Sequence, residues 1–382
     1  MSPGPGSAGL YVHIPFCSAV CPYCDFAVTV GNAAARADFV QALCAEIALW
    51  TDWCMPIDTI YFGGGTPSAL TTAQLTTVLT QLHTSLPITA APKIFFEANP
   101  EDVTPESLQQ WRGLGVNMLS LGVQSFVDSE LRSLGRRHNG AQARRAVDQA
   151  LQIGFETVSV DIMFGLPKQT VESLRESLLV VQELRPQHVS CYQLTIHDGT
   201  TFARWRARGK LTELDEDLQA DLYGEVHTGL QQAGLHAYEV SNFARSDAHR
   251  SAHNLKYWQH VPYLGLGPSA HSFDGEARWW NHRDNRGYIE AATRGRKPIA
   301  EREQLCAADL ALEGLMLGIR TAEGIELQHF KQRYQVDLLA LNLALIEQLI
   351  ERGYLQAKPG WLTPTRAGLG VADGMAAEFA LE

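Results

Sequence analysis

The stretch FCSAVCPYCDF, residues 16–26, holds three cysteines within eight positions, Cys17, Cys21 and Cys24. It follows an apolar run, LYVHIPF (10–16), that predicts a β-strand. At the chain's own cysteine frequency, this spacing would arise by chance about 0.002 times in a chain of this length. A zinc site uses four ligands and a thioredoxin-type site uses one C-x-x-C pair, so neither fits three thiols. Cubane iron–sulfur clusters are held by thiolates, normally four, and three would leave one iron open to a small molecule.

Composition and charge exclude several classes of protein. The chain has 382 residues and a net charge of −11, which argues against a general nucleic-acid binder. Seven cysteines are too few for a disulfide scaffold and indicate a reducing compartment. No apolar run approaches the ~18 residues of a membrane span, and MSPGPGSAGL (1–10) has no signal-peptide features. We expect a cytoplasmic protein, or one peripheral at the inner face of the membrane, with residues 1–9 as a flexible tail.

Strand-like and helix-like segments alternate over residues 10–235, which predicts a parallel sheet covered by helices. About six units fit, so we expect an α/β fold, a partial (β/α)6 barrel related to the complete eight-fold barrel. Ligands bind such barrels at the carboxyl ends of the strands. The strand-like runs are LYVHIPF (10–16), TIYFGGG (59–65), KIFFEANP (93–100), NMLSLGVQ (117–124), TVSVDIMFGLP (157–167) and HVSCYQLTI (188–196).

The alternation fades in the last third of the chain. Residues 236–299 are predicted as a connecting region, a loop rich in His, Asn, Trp and Tyr. Residues 300–382 are predicted as a small, mainly helical domain, similar to a winged helix. Because this domain is not strongly basic, we interpret it as an appendage that closes the open side of the barrel rather than as a DNA-binding module.

The spacing Cys17-x-x-x-Cys21-x-x-Cys24 at a strand end resembles the signature of the radical SAM superfamily. In that superfamily a 4Fe–4S cluster binds the amino and carboxylate groups of S-adenosylmethionine (SAM) at its open iron. GGGTP (63–67) is similar to the glycine motif that meets the methionine amino group. Five further stretches resemble the anaerobic coproporphyrinogen III oxidase-like family: YVHIPFC (11–17), FEANP (96–100), LSLGVQSF (119–126), DIMFGLPKQT (161–170) and LGLGPSAHSF (264–273).

The resemblance also implies which residues bind SAM. Tyr11, Gly64 and Glu97 match positions that contact the SAM on the cluster. A second set matches positions that bind a second SAM in the oxidase branch of the family, and whether a second SAM binds here stays open. That set is Tyr23, Gly65, Thr66, Gln124, Arg136 and Asp161.

Two departures separate this chain from the oxidase branch. The oxidase branch is identified by a CxxxCxxCxC pattern, whereas this chain has Phe26 at the position of the fourth cysteine. They also carry a longer arm before the first strand, where this chain has ten residues. Both departures favour the HemW-type branch, the heme chaperones.

The stretch HNLKYW (253–258) is similar to an HNxxYW stretch that HemW-type chaperones are proposed to use for heme. It implies heme binding by His253, Asn254, Tyr257 and Trp258. His and Tyr are heme-iron ligands, and Trp offers a flat face to a macrocycle. Lys256, Arg245 and Arg250 are near in sequence and could meet the propionates. His249, His260, His271 and His282 remain open as competing ligands.

The sequence therefore predicts a heme chaperone that carries a 4Fe–4S cluster with exchangeable SAM. It would pass heme to an acceptor haemoprotein, which the resemblance implies is a respiratory enzyme at the membrane, and it could form a homodimer. The alternative is an oxygen-independent coproporphyrinogen III oxidase, in which SAM cleavage would start the decarboxylation of propionate side chains. A radical SAM enzyme acting on RNA is a third hypothesis, which the net acidity disfavours. No catalytic residue is assigned.

Overall fold

The computed structural model describes residues 6–382 and begins with six parallel strands in the predicted order. Each strand is hydrogen-bonded to the next, with Tyr11 beside Tyr61 and Tyr61 beside Phe95. The strands are β1 (Ala8–Ile14), β2 (Ile57–Gly64), β3 (Ile88–Ala98), β4 (Val116–Gln124), β5 (Thr157–Phe164) and β6 (His188–Gln193).

Helices follow each strand and cover the outer face of the sheet. Phe39, Leu43 and Ile47, which recur at helical spacing, are buried on the first helix. Thr104 caps the third helix and Thr170 the sixth, each by accepting a hydrogen bond from a backbone amide of the first turn. The helices are α1 (Ala33–Ala48), α2 (Thr72–Ser85), α3 (Pro105–Gly113), α4 (Asp128–Ser133), α5 (Gly140–Ile153), α6 (Val171–Leu184), α7 (Thr201–Ala207) and α8 (Glu216–Gln232).

Residues 236–304 extend the sheet at both edges instead of forming a separate loop region. The strand order is β12-β11-β10-β9-β1-β2-β3-β4-β5-β6-β8-β7, so new strands flank both β1 and β6. The added elements are β7 (His236–Ala237), β8 (Asn242–Ala244), α9 (Ala252–Trp258), β9 (Tyr263–Leu266), β10 (His271–Phe273), β11 (Ala277–Asn281), α10 (Asn285–Thr293) and β12 (Ile299–Gln304). The predicted connecting region is therefore largely regular structure.

The C-terminal domain has its own hydrophobic core, which includes Leu315, Phe330 and Leu349. A small sheet in the order β13-β15-β14 packs with its helices. The elements are α11 (Ala307–Gly318), β13 (Ile325–Glu326), α12 (Leu327–Tyr334), α13 (Leu338–Glu351), β14 (Leu355–Gln356), β15 (Trp361–Pro364), α14 (Arg366–Gly370) and α15 (Ala372–Glu378). The partial barrel with a mainly helical C-terminal region is thus confirmed.

This domain contacts both ends of the open barrel. On the β6 side, the amide of Val240 donates to the carbonyl of Arg320. On the β1 side, the ring of His260 is hydrogen-bonded to Tyr334 at 2.9 Å and to Glu313 at 3.2 Å. In the described part of the chain, each helix is too short or too polar to cross a membrane.

Candidate functional site

A cavity of about 400 Å³ lies inside the barrel at the carboxyl ends of the strands. Twelve of the residues predicted from the sequence line it together. They are Cys17, Cys21, Tyr23, Cys24, Gly64, Gly65, Thr66, Glu97, Gln124, Arg136, Asp161 and Asn254. The structure thus brings the thiols, the glycine motif and the strand-end polar residues to one place, as expected for an α/β barrel.

The cysteine loop, residues 15–29, forms one wall of the cavity. Its base is closed by backbone hydrogen bonds from Thr29 to Pro15 at 2.7 Å and from Cys17 to Thr29 at 3.0 Å. Near its carboxyl end, the ring of buried His13 is hydrogen-bonded to the carbonyl of Ala27 at 2.9 Å. The loop is therefore attached to the end of β1 at both its beginning and its end.

The thiols of this loop lie in surroundings that suit a metal cluster. Burial raises the pKa of the Cys24 thiol to about 11 and also raises the pKa of the Cys17 thiol. A thiolate there needs a positive partner, which iron supplies. Two protein groups also donate to the sulfurs, with Thr66 Oγ1 3.5 Å from Cys17 and an Arg136 nitrogen 3.7 Å from Cys21.

No three His, Cys, Asp or Glu side chains within residues 6–382 are grouped closely enough to hold a single metal ion. A cubane makes a different demand, because each thiolate binds a different iron. The thiols of residues 17–24 fit that demand, with three protein ligands for four iron atoms.

The glycine motif needs glycine because backbone atoms and the His13 ring lie against it. A Cβ on Gly65 would lie 2.8 Å from the carbonyl oxygen of Phe16, and one on Gly64 would lie 2.5 Å from His13. Gly64 also has a φ of +106°, which other residues rarely adopt. These glycines let β2 approach the cysteine loop and expose backbone polar groups to the cavity.

Two carboxyl groups lie deep in the cavity with weakened acidity. Glu97 accepts hydrogen bonds from the Tyr61 hydroxyl at 2.7 Å and the Gly64 amide at 3.3 Å, and burial raises its pKa to about 7. Asp161 accepts from the Ser120 hydroxyl at 2.8 Å, and burial raises its pKa to about 6. Both groups can accept hydrogen bonds from a cationic or amino ligand, which would favour their charged forms.

Arg136 places its guanidinium near the Asp161 carboxyl group and the Cys21 thiol. It donates to Asn99 Oδ1 at 2.5 Å and to the Gly122 carbonyl at 2.7 Å, while its buried Nε has no partner among the described residues. A buried donor without a partner is costly, so a ligand carboxylate would suit this position.

Sequence reasoning missed several polar residues of the cavity, among them Asn99, Ser190, Tyr192 and Asn242. The Tyr192 hydroxyl donates to Gln124 Oε1 at 2.7 Å, and Gln124 has an unusual φ of +69°. Asn99 and Tyr192 lie at or just after the carboxyl ends of β3 and β6, so strand-end position alone could have identified these two. Tyr11 does not line the cavity, because its hydroxyl turns to His13 at 3.1 Å.

The HNLKYW stretch is helical, whereas the sequence predicted a loop. Six of the seven residues of α9 come from it, and Ser251 caps the helix by accepting from the Asn254 amide. His253 is 1% exposed, and its ring is hydrogen-bonded to Thr59 at 3.0 Å and to Tyr257 at 2.9 Å. In this arrangement, neither ring nitrogen of His253 is free for a heme iron. Asn254 reaches the cavity, whereas His253, Tyr257 and Trp258 do not line it.

The cations predicted to meet heme propionates are also occupied. Lys256 is buried and lies 2.8 Å from Asp58, and it donates to the Ser7 carbonyl at 2.9 Å. Arg245 donates to two backbone carbonyls, and Arg250 pairs with Asp247 and Glu323. These contacts hold α9 and its neighbours in place, which the residue types alone could not reveal.

The competing histidines are dispersed. His249 is hydrogen-bonded to Thr157 at 3.0 Å, and both ring nitrogens of His260 bind the C-terminal domain. His271 is exposed and stacks on Trp280, and His282 is half-buried.

Comparisons with known proteins cover both domains. The barrel matches the model of the Radical SAM superfamily over residues 11–181, and the C-terminal domain matches the HemN C-terminal domain over residues 305–371. The Heme chaperone HemW of Bacillus subtilis is 32% identical over 90% of this chain and 92% of that protein. The Heme chaperone HemW of Synechocystis is 37% identical over 82% of this chain and 78% of that protein.

Two further comparisons concern a mitochondrial relative and a solved structure. Radical S-adenosyl methionine domain-containing protein 1, mitochondrial, of Bos taurus is 34% identical over 98% of this chain and 88% of that protein. The coproporphyrinogen III oxidase (HemN) of Escherichia coli has a TM-score of 0.84, covering 97% of this chain and 89% of that one. At 24% sequence identity, this likeness shows the fold alone.

The Cys21→Ala variant should lose the cluster, since two thiolates hold a cubane poorly. We expect iron after anaerobic reconstitution to fall from about four atoms per chain to near zero. The exposed Cys54→Ala variant is the control and should keep its iron. Unchanged iron and sulfide in Cys21→Ala would contradict this assignment.

The Glu97→Gln variant should become more stable relative to the wild type as the pH rises from 5 to 8. A carboxyl whose pKa is raised to about 7 in the fold loses its stabilising contribution as the pH rises through that value, and glutamine does not ionise. Thermal unfolding of the cluster-free protein at both pH values measures this trend. The exposed Glu347→Gln variant is the control, and a pH trend equal in both variants would contradict the prediction.

The His253→Ala variant should lose about 2–4 kcal/mol of stability, because it opens a cavity and leaves Thr59 and Tyr257 without their partner. Urea unfolding measures the loss. His271→Ala, which removes an exposed ring, should cost under about 1 kcal/mol. Equal stability of the two variants would show that His253 is not a structural residue of α9.

Proposed function

The chain belongs to the HemW family of the radical SAM superfamily, and from this membership we propose that it is a heme chaperone, which binds heme and transfers it to an acceptor haemoprotein. The observation that carries the proposal is the extent of the match to relatives named heme chaperones, which includes the barrel, the α9 stretch and most of the C-terminal domain. Phe26 supports it as well, since a fourth cysteine of the oxidase type is missing there.

We propose that Cys17, Cys21 and Cys24 hold a 4Fe–4S cluster whose fourth iron binds SAM. The donor set fits, because the three thiols share one loop at the cavity wall and two groups donate to their sulfurs. When bound, such a cluster supplies an electron-transfer centre and an open coordination position.

The remaining cavity residues would then orient the SAM. Glu97 and the backbone of Gly64 and Gly65 would meet its amino group, and the unpartnered Nε of Arg136 would meet its carboxylate. Tyr23, Thr66, Gln124 and Asp161 line the same cavity and would contact the rest of the molecule. Eight of the nine predicted SAM residues therefore line one continuous cavity. The ninth, Tyr11, does not line it and is hydrogen-bonded to His13.

We further propose that the protein works in the cytoplasm and delivers heme to a respiratory haemoprotein at the membrane. The seven cysteines are free thiols, as a reducing compartment requires. The acceptor would need a heme site that this chain can reach from outside the acceptor.

An anaerobic pair of assays on the reconstituted protein tests the function. Heme is titrated by absorbance, and coproporphyrinogen III is then supplied with SAM and a reductant while protoporphyrinogen is measured. We expect one heme per chain and no product. Product formation would contradict the chaperone and favour an oxygen-independent coproporphyrinogen III oxidase, and the absence of heme binding would also overturn the proposal.

A further inference from the structure

The cysteine loop carries large apolar side chains on its outer surface. Phe26 is 64% exposed and Val20 is 52% exposed. Both side chains also line the cavity, so this apolar rim, defined as Val20 and Phe26, borders its mouth. Exposed apolar groups gathered on a functional loop indicate a surface that is covered during the protein's work.

Positive charge flanks the apolar rim. Arg137 lines the cavity and is exposed, and within residues 6–382 no carboxylate lies within 4 Å of its guanidinium. Arg283 is also exposed and donates to the backbone carbonyl of Asp25, the residue before Phe26. One guanidinium group therefore lines the cavity, and a second contacts the residue before Phe26.

Carboxylates also lie close to these cations, and each of them contacts another group. Glu101 lies 3.0 Å from His138, Asp25 lies 3.7 Å from His197, and Asp102, which interacts with Arg137, accepts from the Ser68 hydroxyl at 2.7 Å. Within residues 6–382 neither Arg137 nor Arg283 has a carboxylate within 4 Å, so both guanidinium groups are available to a ligand. A flat apolar molecule with two carboxylates complements this arrangement, since guanidinium groups bind carboxylates well and aromatic rings stack.

We propose that heme docks at the mouth of the barrel, with one face on Val20 and Phe26 and its propionates towards Arg137 and Arg283. This site rests on the proposed function and assigns it a place outside α9. The mouth is a better heme site than α9, because His253 on α9 is buried with both ring nitrogens hydrogen-bonded. Lys256 on the same helix is held by Asp58 and Ser7. Heme at the mouth would also lie beside the cluster thiols, so that SAM and heme would occupy adjoining sites.

Heme titration of the full-length reconstituted protein tests this site with matched variants. Phe26→Asp should weaken heme binding at least tenfold, because it places a charge under the macrocycle. Leu179→Asp is the control, since Leu179 is 57% exposed on α6 and does not line the cavity, and it should bind like the wild type. Iron content is measured in each variant, and Val20→Asp replaces Phe26→Asp if the latter loses its cluster.

Charge is tested separately with Arg137→Gln. We expect a several-fold loss of heme affinity at low salt that shrinks at high salt, as for an exposed ion pair. Wild-type affinity in Phe26→Asp and Val20→Asp would overturn the inference while leaving the chaperone function intact. A wild-type protein that binds no heme would instead overturn the proposed function. If the rim variants bind heme normally but transfer it poorly, the rim is a protein-docking surface and the heme site lies elsewhere.

Discussion

Three thiols at the end of one strand cannot supply ligands to all four irons of a cubane, so the proposed cluster would need a further ligand from the cavity beside it. His13 anchors the loop through Ala27 and packs its ring against Gly64, so the cysteine loop and the glycine motif are positioned by one side chain. Thr66, in the same motif, donates to the Cys17 sulfur. The groups that would hold a ligand on the open iron are thereby fixed relative to the thiols before any ligand arrives, which lowers the entropic cost of binding.

The cavity also balances charge in a way that suits a zwitterion. Burial raises the pKa of both Glu97 and Asp161, so a positive group bound nearby would favour their ionised forms. The buried Nε of Arg136 has no partner among the described side chains and backbone atoms. An amino group near Glu97 would stabilise its ionised carboxylate, and a carboxylate near Arg136 would accept a hydrogen bond from the unpartnered Nε. A positive sulfonium would favour ionised Asp161. The electrostatics and the thiol count thus indicate the same class of ligand.

The sequence was sufficient to predict those site residues whose position depends on local spacing along the chain. Cys17 follows a predictable strand, and Gly64, Glu97 and Asp161 lie in the carboxyl-terminal halves of three others. Because the carboxyl ends of parallel strands meet at one edge, the grouping of these residues could be predicted. His253 could not be placed, because its burial depends on Thr59, which lies 194 residues away along the chain. The pairing of β9 with β1 likewise depends on long-range contacts that no local pattern encodes. In the sequence, Phe26 indicates only that the fourth cysteine of the oxidase branch is missing. The structure adds that its side chain is exposed and lies at the cavity mouth.

The central claim is that the chain supplies three ligands and leaves the fourth iron to SAM. The most direct measurement is the electron paramagnetic resonance spectrum of the reduced, reconstituted protein before and after SAM is added. The account predicts that SAM changes the g-values of the cluster signal and that the Arg136→Gln variant needs more SAM to produce the change. A cluster signal that SAM leaves unaltered in the wild type would contradict the account, because it would mean that the fourth iron is not open to this ligand.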